Sequence, residues 1–234
     1  MLAARIFVVL SATLIVCAWL LSYFGQLSVF SYLVAIPVLF WVLWLLSKLE
    51  KYQELRLLRL RLSRYKRWPA AIFGVLALLC LIGAILHAPS NYDYLTYRLP
   101  RLLHWHETGA WHWITTGNVR MNYSAPNAEW ISSPLLLLTQ SDRLLFLPSF
   151  IAFLLLPGAV FITFRSLGIE SRAAWWAMWL VPTAYGYVSQ AGSAGNDLLG
   201  TTFFVIAIAF LFRAYASKCT GWFILSVFAV AICT

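Results

Sequence analysis

Seven long runs of apolar residues, separated by polar segments, dominate the pattern of this chain. Five or six of them approach the roughly 20 residues that an α-helix needs to cross a hydrocarbon core of about 30 Å. The runs cover residues 6–24, 27–47, 70–86, 144–164, 173–188, 198–212 and 222–233, of which the last is incomplete as a span. The pattern predicts an all-α fold, a polytopic bundle of transmembrane helices in a single membrane domain.

Composition and charge favour a membrane protein and argue against a nucleic-acid partner. The sequence is 62% hydrophobic and 11% charged, which is more apolar surface than a soluble domain of this size can bury. The formal net charge of +9 is concentrated in residues 48–67, which contain eight Lys or Arg and two Glu. A basic segment between two apolar runs is typical of a cytoplasmic loop, and it can also contact anionic membrane lipid.

The distribution of basic residues also predicts the orientation. With residues 48–67 in the cytoplasm, the long loop 88–143 falls on the extracytoplasmic side. Lys and Arg occur in the short loops assigned to the cytoplasm, and they are absent from the two short loops assigned to the outside, near Gly25 and at 190–197. The predicted spans contain essentially no ionisable side chain. We therefore expect the chemistry of the protein in loop 88–143.

Loop 88–143 begins with a segment whose residue pattern is helical. One face carries Leu95, Leu99, Leu102 and Leu103, and the opposite face carries Tyr94, Tyr97, Arg98, Arg101, His104 and Trp105. The pattern predicts an amphipathic helix on the membrane surface, weakened at its middle by Pro100. Its polar face would offer arginines to phosphate and aromatic rings either to the interface or to a sugar. The charges also have a simpler explanation, because any large outer loop must be soluble.

Three acidic residues of the outer face are candidates for catalysis. Asp93 follows the third span, where a carboxylate suits a general base and equally suits a helix N-cap. Glu129 precedes the return of the chain to the membrane, and Asp197 opens the sixth span, which it could also cap. If the three carboxylates converge, their hard oxygen ligands would favour Mg²⁺ or Mn²⁺.

An ordered set of residues carries a resemblance to a known family. The set is Asp93-Tyr94-Leu95-Thr96-Tyr97-Arg98-Leu99-Pro100-Arg101, His104-Trp105, residues 120–129 and Asn196-Asp197. It resembles the GT-C glycosyltransferases, polytopic enzymes with a polyprenyl-phosphate-linked sugar donor that include the protein O-mannosyltransferases and the lipid A aminoarabinose transferases. Arg98 stands where the family pattern usually has His, and Met121 where it has Gln. Full enzymes of this class have more than seven spans, so the resemblance implies that this chain corresponds to an N-terminal portion of such an enzyme.

The resemblance implies a hexosyl- or pentosyltransferase of the bacterial inner membrane, inverting, with a glycan, lipid or protein as acceptor. The catalytic acids would be Asp93, Glu129 and Asp197, and the substrate-binding residues would be Tyr97, Arg98, Arg101, His104, Trp105 and Arg120. Asp93 would deprotonate or orient the acceptor hydroxyl. The three arginines would hold the leaving phosphate, which stabilises the charge that develops during transfer.

Two other functions are compatible with the same residues. A transporter of lipid-linked sugars would use the same ligands, but it needs a polar path through the spans, and the sequence offers none. A non-catalytic fragment or membrane assembly subunit agrees with the short chain. We expect continuation of the reading frame beyond Thr234 to distinguish the enzyme from a fragment.

Overall fold

A computed structural model describes residues 1–49 and 67–233 of the chain, and in these ranges the secondary structure is helical, without strands. The predicted basic loop 48–67 lies almost entirely outside the described residues. The α-helices are α1 (Leu2–Tyr23), α2 (Val29–Leu49), α3 (Trp68–Leu86), α4 (Leu99–Thr108), α5 (Arg120–Tyr123), α6 (Asn127–Thr139), α7 (Leu147–Ser166), α8 (Ser171–Leu180), α9 (Tyr185–Ala191), α10 (Asp197–Ser217) and α11 (Thr220–Ile232).

Four helical segments of the described chain are long and apolar enough to cross a membrane. They are α1, α3, the segment Asp142–Ser166 that ends in α7, and α10. Shorter apolar helices occupy Val29–Trp41, within α2, and Thr220–Ile232, which is α11. The long helices satisfy their backbone hydrogen bonds internally, and this is the condition for placing a chain in lipid.

The fifth predicted span, residues 173–188, is not one continuous helix in the structure. Helix α8 has 10 residues and ends at a 3₁₀ turn, Val181–Thr183, and α9 then has only 7 residues. Pro182 lacks the N–H that a continuing helix would need, and Ala184 takes an extended conformation with ψ of 141°. The apolar run therefore folds into two short helices.

The core of the bundle is formed by α10 between α7 and α11, with α1 packed beside them. The rings of Phe7 and Phe203 stack with their centroids 4.9 Å apart. Buried hydroxyl groups donate to carbonyl groups of neighbouring helices, as Ser226 does to Ala207 at 2.8 Å and Thr163 to Val205 at 3.1 Å. Such bonds join helices whose side chains are otherwise apolar.

Several loops meet at one end of the bundle, next to the turn between α1 and α2. Leu27 N donates to the Gly109 carbonyl at 2.9 Å, and Trp111 N donates to Ser22 Oγ at 2.7 Å. Gly109 has φ of 74°, and a Cβ atom on it would lie 2.8 Å from the Gly25 carbonyl oxygen. Only glycine fits this position, because both the backbone conformation and the close approach exclude a side chain.

Candidate functional site

The candidate site is built on an irregular helix that precedes α4. Residues Tyr94–Arg98 form a π-helix that continues directly into α4. Pro100 has no N–H to donate to the carbonyl of Thr96, four residues earlier, and Asn118 Nδ2 donates to that carbonyl at 3.3 Å. Single turns of π-helix inside α-helices occur frequently at functional sites. Pro100 therefore reshapes the predicted surface helix without ending it.

Five of the six residues of the predicted polar face are buried against the protein, which corrects the expectation that this face offers its arginines to substrate. Tyr94, Tyr97, Arg98, Arg101 and Trp105 are each at most 5% exposed. On the opposite face, Leu95 and Leu103 are about half exposed and Leu102 is buried. The physical reason lies on α6, which supplies a partner for both arginines.

Glu129 is the centre of a buried ion cluster that joins α6 to the π-helix and α4. Its Oε1 atom accepts from Arg98 Nη1 at 3.2 Å and from Arg101 Nη2 at 2.7 Å, and all three side chains are at most 6% exposed. Three buried charges are costly unless they are paired and hydrogen-bonded. The cluster therefore fixes the position of α4 relative to α6.

The remaining guanidinium donors are mostly bound to the protein as well. Arg101 Nη1 donates to the Ser124 carbonyl at 2.6 Å and to Ser124 Oγ at 2.9 Å, and Arg101 Nη2 donates to the Ala125 carbonyl at 3.0 Å. Arg98 Nη2 donates to the Tyr97 hydroxyl at 3.1 Å. The prediction that Arg98 and Arg101 present their forks to a phosphate is therefore not supported, because the terminal nitrogens of both forks already donate to protein oxygens.

An open ion pair lies near the beginning of the same segment. Arg120 Nη1 donates to Asp93 Oδ1 at 3.1 Å, and the side chains are 60% and 44% exposed, respectively. The Arg120 guanidinium also lies 6.0 Å from the centre of the Tyr97 ring. This pair brings together a carboxylate and a cation from positions 27 residues apart in the sequence, and both remain accessible.

The helix-capping alternative for Asp93 is not what the structure shows. Asp93 precedes the π-helix but its side chain makes no capping hydrogen bond. Asn91 Oδ1 accepts from Tyr94 N at 3.2 Å in its place. Asp93 is thus held by Arg120 and not by the backbone.

Asp197 lies in the first turn of α10 and is exposed. Its Oδ2 atom accepts from Gln190 Nε2 at 3.0 Å, and Gln190 Oε1 accepts from Leu198 N at 2.9 Å. The loop that precedes Asp197 lies beside the segment that precedes Asp93, since a Cβ atom built on Gly195 would lie 3.3 Å from Asn91 Nδ2. A shared cavity for the two aspartates stays a prediction.

No group of three or more acidic, His or Cys side chains in the described part of the chain could hold a metal ion. Glu129 is buried in its cluster with two arginines, whereas Asp93 pairs with Arg120 and Asp197 with Gln190. The predicted three-carboxylate site for Mg²⁺ or Mn²⁺ is therefore not formed by these residues.

The remaining predicted binding residues separate into buried and exposed ones. Trp105 is buried, and its indole N–H donates to the His112 carbonyl at 3.1 Å. His104 is exposed, with its ring 6.5 Å from that of His112. Of these two residues, only His104 can meet a ligand at the protein surface without rearrangement.

Sequence reasoning missed a hydrogen-bond chain that joins three helices. Tyr32 OH donates to Ser133 Oγ at 3.0 Å, and Ser133 Oγ lies 2.7 Å from His106 Nε2. Burial lowers the pKa of His106 to about 4, so at neutral pH the imidazole in this chain of hydrogen bonds is uncharged. Because Tyr32 and Ser133 are 101 residues apart in the sequence, no local sequence pattern indicates this hydrogen bond.

Comparisons with known protein families, with curated proteins and with solved structures found no match to this chain.

Proposed function

We propose that this chain belongs to a membrane glycosyltransferase of the GT-C type. It moves a sugar from a polyprenyl-phosphate-linked donor to an acceptor hydroxyl on the extracytoplasmic face, with inversion. The protein is multi-pass and lies in the bacterial inner membrane. The observation that carries the proposal is the open Asp93–Arg120 pair, which joins a carboxylate and a cation at 3.1 Å where α3 gives way to the loop.

The transfer needs a base for the acceptor hydroxyl and a cation for the leaving phosphate, and Asp93 and Arg120 supply these two groups. The acceptor oxygen attacks the anomeric carbon and loses its proton to Asp93. The bond from the anomeric carbon to the phosphate oxygen breaks, and polyprenyl phosphate leaves with one more negative charge than it had in the donor. Arg120 stabilises that developing charge with a charge-assisted hydrogen bond.

The buried Arg98–Glu129–Arg101 cluster has a different role in this proposal. Its members are positioning residues, because they hold α4 and the π-helix against α6 and thereby set the place of Asp93 at the beginning of the segment. The phosphate of the donor binds instead to Arg120, whose side chain is 60% exposed. The lipid carrier of the donor explains why such a site is combined with apolar helices that can cross a membrane.

The proposal is tested by sugar transfer in membranes that contain the full-length protein. A panel of polyprenyl-phosphate sugars serves as donors, and the Asp93→Asn variant is compared with wild type. Loss of a general base typically lowers the rate about 10²- to 10⁴-fold. Because Asn keeps the shape of Asp and the Asp93 side chain makes no cap bond, expression and insertion should be unchanged.

Glu107→Gln is the matched control, because Glu107 is an exposed acid on α4. It should transfer sugar at the wild-type rate. Arg120→Lys keeps the charge and loses the fork, so it should act mainly on donor affinity. Transfer by Asp93→Asn at the rate of the Glu107→Gln control would refute the assignment of Asp93 as the base.

A further inference from the structure

An apolar groove lies on the bundle between the beginning of α1, the middle of α7 and the second half of α10. The described residues that line it are all apolar, among them Met1, Ala4, Gly158, Ile162, Ala209 and Phe210. The groove is open on one side, because Leu154 and Gly158 in its wall are exposed. In a membrane this side faces lipid.

The size of the groove limits what can fill it. Its cavity volume is about 150 Å³, and an apolar cavity of about that size stays dry and takes up an apolar group such as benzene. An α-helix with its side chains is about 10–12 Å wide, so a further helix could insert no more than single side chains. An extended hydrocarbon chain has the width that the groove admits.

Two arginines continue the rows of residues that line the groove. Arg213 follows Ala209 by four residues and Phe210 by three on α10, and Arg165 follows Ile162 by three on α7. Residues three and four apart lie on the same face of a helix. Each arginine therefore lies about one turn beyond the groove on the same face. Both belong to the far end of the bundle, where α7 and α10 finish, whereas the candidate site lies near the beginning of α10.

Ring contacts connect the groove to Arg213 and to a further arginine. The ring of Phe210 lies 5.4 Å from that of Trp222. The Arg213 guanidinium is 4.6 Å from the centre of the Trp222 ring, and that of Arg5 is 5.3 Å from it. Arginine stems lie along apolar surface while their charged ends reach towards water or headgroups. Two cations thus gather beside one wall of the groove.

Basic residues outnumber acidic ones at this far end. Among the described residues of the α7–α8 connection, the first turn of α8 and the end of α10, the basic ones are Arg165, Arg172, Arg213 and Lys218, and the acidic one is Glu170. Guanidinium groups suit phosphate oxygens, and an anionic lipid joins a phosphate to hydrocarbon chains. We propose that the groove binds one acyl chain of an anionic phospholipid, whose phosphate contacts Arg213 and Arg165.

This lipid is not the donor of the proposed transfer. Asp93 and Arg120 do not line the groove, and they belong to loop 88–143, at the other end of the bundle. The lipid site therefore stands or falls independently of the glycosyltransferase assignment. Loss of transfer in Asp93→Asn should leave lipid binding unchanged.

The test counts and locates bound lipid on the full chain in neutral detergent micelles. The probe is phosphatidylglycerol with a photoreactive diazirine on its acyl chain, and native mass spectrometry measures its binding against phosphatidylcholine. Wild type should retain one phosphatidylglycerol and bind it at least about fivefold more tightly than phosphatidylcholine, since one basic residue beside an anionic headgroup contributes a factor of about that size. Cross-linked peptides should come from α1, α7 or α10.

Gly158→Leu fills the groove without changing charge. A Cβ atom on Gly158 meets nothing within 4 Å, so the variant should fold and lose the lipid. Gly74→Leu is the matched control, because its Cβ atom also meets nothing within 4 Å and it lies on α3, outside the groove. Arg213→Gln should weaken phosphatidylglycerol binding about fivefold. Arg172→Gln, at an exposed position on α8, should bind like wild type.

Several results would overturn the lipid site. They are equal binding of the two lipids, wild-type binding by Gly158→Leu, and equal loss in Gly158→Leu and Gly74→Leu. Equal weakening by Arg213→Gln and Arg172→Gln would mean that the attraction is a general effect of charge. A dimer that Gly158→Leu dissociates would mean that a second copy of the chain fills the groove. If Arg213→Gln does not fold, the two glycine variants decide the outcome.

Discussion

Removal of the Glu129 charge should destabilise the protein far more than removal of the Asp93 charge. Glu129 is 4% exposed and accepts from two guanidinium groups that are themselves at most 6% exposed. Glu129→Gln leaves two buried positive charges without a counter-ion, and loss of one partner of a buried pair costs about 3–5 kcal/mol. Asp93→Asn breaks a pair whose side chains are 60% and 44% exposed, so it should cost about 1 kcal/mol or less.

The assay is thermal unfolding of the purified protein in nanodiscs at one fixed scan rate. For a chain of this length, 1 kcal/mol shifts the Tm by about 2–4 °C. We therefore expect Glu129→Gln to lower the Tm by about 6–20 °C and Asp93→Asn by no more than about 4 °C. Equal shifts for the two variants would contradict the view that the cluster holds α4 against α6.

A second variant separates the effect of charge from that of packing. The triple variant Arg98→Met, Glu129→Leu, Arg101→Met removes all three buried charges and replaces them with apolar side chains of similar volume. It therefore leaves no buried charge without a counter-ion, unlike Glu129→Gln. Apolar replacements of buried ion clusters are often neutral or stabilising. The triple variant should therefore recover most of the stability that Glu129→Gln loses. A triple variant less stable than Glu129→Gln would mean that the hydrogen bonds of Arg101 to residues 124 and 125 dominate.

Three other predictions concern a glycine, a histidine and the orientation. Gly109→Ala should lower the Tm by several degrees, because φ is 74° and the Cβ atom would meet the Gly25 carbonyl at 2.8 Å, while Gly117→Ala, with nothing within 4 Å, should have little effect. The pKa of His106 falls from 6.5 to about 4 on burial. The buried site disfavours the protonated imidazole, so the free energy of unfolding should keep its full value above pH 6.5. It should fall by at most about 3 kcal/mol as the pH drops to about 4. The same titration with His106→Gln should lack this step. In intact cells an impermeant thiol reagent should label a cysteine at Thr116 and spare one at Ser63; the opposite result would invert the topology.

The sequence by itself determined which segments form the long apolar helices. Helices α1, α3, α7 and α10 begin and end within a few residues of the predicted runs. The reason is local: a long run of apolar residues can enter lipid only if its own backbone groups bond to one another, as they do in an α-helix. The early part of loop 88–143 was likewise predicted to be helical, and residues 94–108 are helical.

Tertiary structure alone decided which way the polar residues of that loop face. Periodicity places Arg98 and Arg101 on one side of a helix, but it cannot tell whether that side meets solvent or a partner. The partner is Glu129, 31 residues beyond Arg98, and pairing within the protein buries the arginines that the pattern offered to phosphate. Arg120 joins Asp93 over 27 residues in the same way. Because ion pairs depend on distances in space and not on spacing along the chain, only the folded structure separates the buried cluster from the open pair.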